Sequence, residues 1–500
     1  MNVQCTQAGL EGAADPAGVA GQAEVLVAGG GLAGLTAALL LRHHGVDVTL
    51  VEKRPATSPQ PKARRFHMRS MEIFRELGLA GLVHQAARGL AGHDHMAAGR
   101  TLAEARQLPL FQPPAGAGGP VEVSPELPCL IAQDTLEPVL RRAAEQAGAI
   151  VRFGTELLGF GQDETGVTAA LTGGESLRAR YLVAADGAHS PVRAALGITR
   201  SGPGFTGGPM VSVYFRADLG AVVRGREFNL CQIEHPDAPG GLASVDGRLR
   251  WVFMSPGAAQ GRDWPRDWPS VLRTALGVTA PDLEVLSVLP WRSELRVADR
   301  YRDGRVFLAG DAAHVMPPFA ASGANTGLAD GHNLAWKLAA VLRGQAGDAL
   351  LDSYHAERRP AGWFAADQSA RRTGDLRRPG AGGDGLAHPY VLGAGGFQYP
   401  AGALAGDPAA DPEPMTEFRP AGRIGTRVPH RWLDPEHRRS TIDLAGPGWA
   451  VLRGRDDLGF LPAGQCLLLR PDHIVAWRGS SPGAAEGVQD ALLLGQPVPV

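Results

Sequence analysis

The 500-residue chain is poor in lysine, poor in cysteine and almost without net charge. Only Lys53, Lys62 and Lys337 are lysines, and 49 basic residues face 51 acidic ones, a balance of −2. There is no basic excess to neutralise a phosphate backbone or an anionic bilayer, so nucleic acid and membrane surfaces are not expected as partners. Cys5, Cys129, Cys231 and Cys466 lie far apart with no C-x-x-C pair. That spacing argues against a disulfide framework or a zinc cluster and fits buried thiols in a reducing cytoplasm. No apolar run reaches the ~18–20 residues of a membrane span. Residues 1–22 lack a Lys/Arg-led apolar core and read as a flexible tail, not a leader. Neither H-E-x-x-H nor a G-x-x-x-x-G-K-[ST] phosphate loop is present. His93-Asp94-His95 has no further ligand pattern beside it, so no metal is expected.

A single hydrophobic core rarely grows past ~250–300 residues, so two or three domains are expected. Near the start, Glu24–Ala28 reads as a buried strand, Gly29-x-Gly31-x-x-Gly34 follows, and Leu35–His44 reads as a helix stopped by Gly45. Val46–Val51 is the next strand, which completes a βαβ unit ending at Glu52. In such a unit Gly29 permits the tight turn, Gly31 lets a pyrophosphate approach, and Gly34 lets the helix pack on the sheet. The helix N-terminus offers N–H groups to phosphate, and Glu52 is placed to accept hydrogen bonds from an adenosine ribose. Glu52 would repel a 2′-phosphate, so FAD or NAD fits better than NADP at this loop. No second strand–glycine–helix unit follows, so a stable nicotinamide domain is not expected.

Three later segments add to this. Val306–Leu308 reads as a strand delivering Asp311 to its carboxyl end, where its carboxylate can accept from polyol hydroxyls. The proline turn Met316–Phe319 leads through Gly323 and Ala324 into a helix expected from Asn325 to Leu342, whose N-terminus can stabilise negative charge on a flavin ring. Tyr181–Ala184 reads as a strand before Asp186-Gly187. Between 205 and 290 the pattern changes to short β-type runs, read as a largely antiparallel sheet. Helices are expected over Ser70–Leu77 and Thr135–Ala147.

The order of glycine loop, Glu52, Asp186-Gly187 and Gly310-Asp311 resembles the single-component FAD-dependent aromatic hydroxylases, relatives of p-hydroxybenzoate hydroxylase. Lys62-Ala63, Arg69-Ser70-Met71-Glu72, Gln133 and Asn325-Thr326-Gly327 fit the same pattern. Arg427–His430, Ser440–Leu444 and Leu469–Asp472 with Trp477 look like the thioredoxin-like tail of phenol hydroxylases and of oxygenases that tailor bacterial aromatic polyketides. Two departures stand out. Ala321-Ser322-Gly323 replaces a frequent Gly-x-Gly, and Lys62 replaces an arginine, which weakens bidentate phosphate contact.

The resemblance implies an α/β fold: a Rossmann-like FAD domain, an inserted antiparallel substrate sheet and a C-terminal thioredoxin-like domain. The FAD domain is expected over 23–100, 130–200 and 299–372, the last with a long helix. The substrate domain is expected over 201–298 with an excursion at 101–129, a Gly/Pro linker over 373–412, and the thioredoxin-like domain over 413–500. The implied enzyme is a flavin-dependent monooxygenase of the aromatic hydroxylase type. Tightly bound FAD is reduced by transient NADPH or NADH and reacts with O2 to a flavin hydroperoxide. One oxygen atom then enters a polycyclic, polyketide-type phenol or quinone. Alternatives are Baeyer–Villiger oxygenation of a ketone and a non-catalytic FAD- or ligand-binding homologue. FAD contacts are expected from Gly29, Gly31, Gly34, Glu52, Lys53, Gln133, Leu157, Asp311, Gly323, Ala324 and Asn325. Substrate contacts are expected among Tyr214, Asn229, Gln232, Trp251 and Met254, although alternation leaves the ligand-facing side open. No catalytic base is singled out. A cytoplasmic monomer or homodimer with a small aromatic substrate is the expectation.

Overall fold

The computed structural model describes residues 21–108, 123–257, 267–279, 282–372 and 385–497. Most of the expected tail, the centre of the 101–129 excursion and the start of the expected linker lie outside these residues.

Four apolar runs, Gly21–Ala28, Val48–Glu52, Ser176–Ala184 and Val306–Leu308, form the heart of a sheet. Gly21–Ala28 pairs in parallel with Val48–Glu52 on one side and Ser176–Ala184 on the other, and the latter pairs in parallel with Val306–Leu308. Helices cover both faces of parallel strands, which is why the stretches 25–28, 181–184 and 306–308 are apolar without alternation. Val25, Leu26, Val27, Leu50, Val183 and Phe307 are all fully buried. Parallel pairing brings all four carboxyl ends to one edge. Gly29, Glu52, Asp186 and Asp311 therefore meet there from positions spread over nearly 300 residues.

Helix Leu32–His43 crosses helix Ser322–Leu342 at very short range. Small residues permit it: a Cβ on Gly327 would lie 3.1 Å from Gly310 Cα and 3.3 Å from Ala33 Cβ, and one on Gly331 would lie 3.2 Å from Ala37 Cα. The second helix starts at Ser322, three residues before the expected Asn325.

A second sheet runs in the order His314–Val315, Glu284–Ala298, Arg200–Arg216, Arg250–Pro256, Gly240–Ser244, Leu230–Ile233, Met96–Gly99, Arg106–Gln107. It is antiparallel except where Leu230–Ile233 meets Met96–Gly99. One face packs on helix Trp268–Leu276 through Trp251, Phe253, Val213 and Phe215. The other carries Tyr214, Leu230, Val252 and Met254 against Ala132 of the first domain.

In the C-terminal part, strands Ala450–Arg453, Cys466–Leu469 and Val475–Gly479 form an antiparallel sheet, followed by helix Ala484–Leu494. No parallel pair joins this sheet among the described residues; an antiparallel sheet and a helix stand where the thioredoxin-like domain is expected. The stretch 385–412 is not a free linker: Val391, Ala394, Tyr399, Ala403 and Ala405 are buried. Its glycines serve close packing. A Cβ on Gly402 would fall 2.3 Å from Glu357 Oε1.

That carboxylate is the hub of a buried network. Glu357 accepts from Arg470 Nη1 at 2.7 Å and Nη2 at 2.8 Å, from Lys337 Nζ at 2.8 Å, from Asn333 Nδ2 at 2.6 Å and from Ala403 N at 2.8 Å. Asp472 accepts from Arg470 and from Asn333 Nδ2 at 3.0 Å. Glu357, Lys337 and Arg470 are entirely buried. The network joins the two long helices, Ser322–Leu342 and Ala349–Arg371, to the C-terminal part.

Candidate active site

The glycine loop has the geometry its spacing predicts. Gly29 has φ +112°, and a Cβ there would lie 2.2 Å from Ala185 O. A Cβ on Gly34 would lie 1.9 Å from Gly29 O. Gly31 is different: the nearest atom to an added Cβ is Glu137 Oε1 at 3.8 Å. Helix Leu32–His43 has no side-chain cap at Gly31, so its first-turn N–H groups and positive dipole end stay available to an anion. The space beside Gly31 is open, as the expected pyrophosphate contact requires. Gly31→Ala is therefore expected to fold normally yet bind FAD at least tenfold more weakly, whereas Gly34→Ala should not fold. Melting temperature and flavin content of the two variants check this contrast.

Glu52 accepts from Gly30 N at 2.7 Å and from Arg54 N at 2.9 Å, which fixes its carboxylate at the end of its strand. Lys53 is exposed, with Nζ 4.0 Å from Glu156 Oε1. Leu157 opens the strand after Thr155, whose N–H donates to Glu52 O at 2.9 Å. Glu52, Lys53 and Leu157 thus lie close together at this end of the sheet. Gln133 sits in the first turn of helix Gln133–Gln146 and binds the Ala63 backbone twice: its N–H donates to Ala63 O at 2.8 Å and its Oε1 accepts from Ala63 N at 3.2 Å. Its Nε2 donates to Glu137 Oε1 at 2.7 Å. Glu137, not anticipated from the sequence, also accepts from Ser58 N at 2.8 Å, and burial pushes its carboxyl up. Gln133 and Glu137 stand four apart on one helix, a signal visible in the sequence.

Asp311 is reachable from the cleft and makes no hydrogen bond among the described residues. The surrounding protein pushes its carboxyl up, with His314 and Lys62 pulling the other way. Its turn is braced from beneath. Asp330 Oδ2 accepts from Gly310 N at 3.0 Å and pairs with His314 Nε2 at 2.7 Å, while Arg358 Nε donates to Asp330 Oδ1 at 2.8 Å. His314 is thereby occupied in packing and is no free base. Arg193 Nη1 donates to Ala312 O at 2.9 Å, which ties the Asp186 loop to the Asp311 loop. Asp186 Oδ1 is buried without a partner, and burial pushes its carboxyl up.

The turn before Ser322 holds two non-glycine residues in left-handed conformation, Ala320 at φ 58° and Ala321 at φ 54°. Each costs about 1–2 kcal/mol that glycine would avoid. Gly323 and Ala324 lie in the first helical turn, where backbone N–H groups point outward. The Asn325 side chain is not available to a cofactor. Its Oδ1 accepts from His67 N at 2.8 Å and Ser70 Oγ at 2.6 Å, and its Nδ2 donates to Arg65 O at 3.1 Å and Ala321 O at 2.6 Å. With its side chain so occupied, Asn325 has its backbone to offer, as the expected helix N-terminus contact requires.

Across the cleft, alternation is resolved by packing. Tyr214 pairs with Val252, and Ser212 with Met254, on the face toward the FAD domain. Gln232 lies opposite Gly241, which lies opposite Met254, so it shares that face. Trp251 points the other way. It is fully buried and its Nε1 donates to Ala217 O and Arg248 O, each at 3.1 Å. Trp251 is a core residue and not a substrate contact. Asn229 is buried, and its backbone O and Oδ1 both accept from Arg64 Nη2. Arg64 also donates to Ser244 O at 2.8 Å, so it spans the two domains, and burial lowers its pKa to about 10.

Among the described residues one group has metal-like spacing, Glu76 with His332 and His473. Arg69 lies 3.0 Å from His332 Nδ1 and 2.7 Å from His473 Nδ1. A guanidinium only donates, so both Nδ1 atoms accept and both neutral rings carry their proton on Nε2, directed at Glu76. A protonated Nε2 has no lone pair to offer a metal, and each Nδ1 lone pair is taken by Arg69. His93 and His95 each turn Nδ1 to a backbone carbonyl, at 3.1 Å.

An uncapped helix N-terminus beside an open glycine, a fixed acid at the second strand and an unpartnered carboxylate at the fourth fit a bent dinucleotide. Residues 22–369 match the family described as FAD binding domain. The chain belongs to that family. It is 38% identical to a putative polyketide hydroxylase of Streptomyces halstedii, with 94% of this chain and 95% of that protein covered. It is 40% identical to tetracenomycin A2 monooxygenase-dioxygenase of Streptomyces glaucescens, over 91% of this chain and 93% of that protein. Among solved structures, a ternary complex of aklavinone-11 hydroxylase with FAD and aklavinone superposes with TM-score 0.82 at 33% identity, covering 94% of this chain and 99% of the other. The chain is an FAD-dependent monooxygenase with the p-hydroxybenzoate hydroxylase-like fold. No helix among the described residues is long and apolar enough to cross a membrane.

Proposed function

We propose that this FAD-binding family member inserts one oxygen atom into the ring of a polycyclic, polyketide-type phenol or quinone, in the cytoplasm, with NADPH or NADH as electron donor. The observation that supports it best is the near full-length likeness to a hydroxylase solved with FAD and aklavinone. The Baeyer–Villiger and non-catalytic readings are not favoured, because the relatives are named hydroxylases and monooxygenases.

In this reading the loop N–H groups from Gly31 onward hold the pyrophosphate, Glu52 the ribose, and Asp311 hydroxyls of the ribityl chain. The first turn of Ser322–Leu342 faces the flavin ring, where its dipole favours negative charge. Reduced FAD, when bound, supplies the activation of dioxygen. The chain's own work is to orient the aromatic and keep water away. Leu230, Val252 and Met254 give the apolar wall. Tyr214 OH lies 3.4 Å from Arg250 Nη1; burial pushes the phenol up, against the pull of Arg250, so it stays protonated and can donate to a substrate oxygen. Gln232 and Ser212 add polar points on the same face.

Aromatic polyketide intermediates, supplied with NADPH and air, should give a product heavier by one oxygen atom with matched NADPH consumption. NADPH oxidation with no oxygenated product from any phenol or quinone would overturn the proposal.

A further inference from the structure

The turn Phe319–Ala321 holds its unfavourable left-handed pair, Ala320 and Ala321, directly before helix Ser322–Leu342. His67, Ser322, Asn325, Thr326, Phe364 and Ile474 are among the residues that line a cavity of about 100 Å³. Hydrogen bonds to the carbonyls of both left-handed residues hold the turn. His67 Nε2 lies 2.8 Å from Ala320 O, and a carbonyl only accepts, so Nε2 carries the proton. The His67 backbone N–H grips Asn325 Oδ1 at 2.8 Å, and Asn325 Nδ2 closes onto Ala321 O at 2.6 Å. Segment 65–70 thus brackets both ends of the turn, and His67 holds the carbonyl of its first left-handed residue. Burial, with Arg65 adding to it, lowers the His67 pKa to about 4, so the ring is neutral near pH 7.

We propose that His67 is a positioning residue for the flavin ring: by holding Ala320 O through Nε2–H it fixes the turn that aims the first N–H groups of helix Ser322–Leu342 at the cofactor. The inference rests on the reading that this helix end receives the ring.

The test uses full-length protein stripped of flavin and titrated with FAD, followed by flavin fluorescence and visible circular dichroism. His67→Asn keeps a favourable helix N-cap but cannot reach the Nε2 position, whereas His67→Gln can. His67→Asn is expected to bind FAD about fivefold to tenfold more weakly, the worth of one buried hydrogen bond, with an altered flavin dichroism. His67→Gln should restore both. Ala320→Gly takes the left-handed conformation without strain, so adding it to His67→Asn should recover most of the lost affinity. Normal FAD affinity and dichroism in His67→Asn would overturn the proposal. So would equal weakness of the Asn and Gln variants, or no recovery in the double variant. Failure of the unmodified protein to bind FAD would instead overturn the cofactor reading beneath it.

Discussion

Asp311→Ala is expected to come off purification colourless or nearly so. The side chain has no hydrogen-bond partner among the described residues, although its turn is fixed by Asp330, Arg358 and Arg193. An acceptor held that rigidly, with its surroundings pushing its carboxyl up, gains most when hydroxyl donors arrive. A hydrogen bond to a charged group contributes about 1.5–3 kcal/mol, so the truncation should weaken FAD binding roughly tenfold to 150-fold. Asp311→Asn retains an acceptor and should lose less. The braces lie beneath the turn and not on the carboxylate, so folding should be little affected. Flavin absorbance per chain and a fluorescence titration check both variants; full occupancy in Asp311→Ala would show that the carboxylate does not hold the cofactor.

Glu357→Gln should have the largest effect on stability. It leaves Lys337 and Arg470 buried with one compensating acid, Asp472, between them. Breaking a buried ion pair from one side typically costs about 3–5 kcal/mol, mostly because the stranded cation cannot reach water. Trp336 reports on this place: Arg470 lies 5.3 Å from its ring centroid and Trp449 packs edge-on at 5.6 Å. Tryptophan fluorescence during urea unfolding should show the loss, and an unchanged midpoint would mean that the junction is not what holds the C-terminal part in place. The same carboxylate gives a pH signature. Burial alone would raise Glu357, but Arg470 and Lys337 hold it at about 2. A carboxyl depressed on folding stabilises above its unfolded pKa of ~4.3 and loses that contribution as pH falls toward 2. Glu72, paired with Arg427 and Arg69, is likewise held at about 2. Stability should therefore fall steeply between about pH 4.5 and 2, and less so in Glu357→Gln.

The sheet and the glycine loop were legible because each rests on local rules. A buried parallel strand is apolar throughout, and a tight turn needs residues without a Cβ at Gly29 and Gly34. Asp311 was legible for the same reason, as an acid at a strand's carboxyl end. The substrate face was not. Trp251 and Met254 belong to one strand, and period two separates them without saying which side holds helix Trp268–Leu276. The bracing role of the Asn325 side chain was not legible, because its partners Arg65, His67 and Ser70 lie some 255–260 residues away in sequence. The Gly/Pro richness of 385–412 resembles a linker, yet the same residues allow the backbone to pass against Glu357. Arg193 and Asp330 brace the Asp311 turn through contacts distant in sequence, which no local pattern announces.

Everything proposed here requires one bent flavin nucleotide spanning Glu52 and Ser322. The most direct measurement is stoichiometric titration of the flavin-free, full-length protein with FAD, read by absorbance and fluorescence. Saturation at one FAD per chain, weakened by Gly31→Ala and Asp311→Ala alike, is the predicted result. A folded protein that takes up no FAD, or takes it up equally well in both variants, would contradict the account.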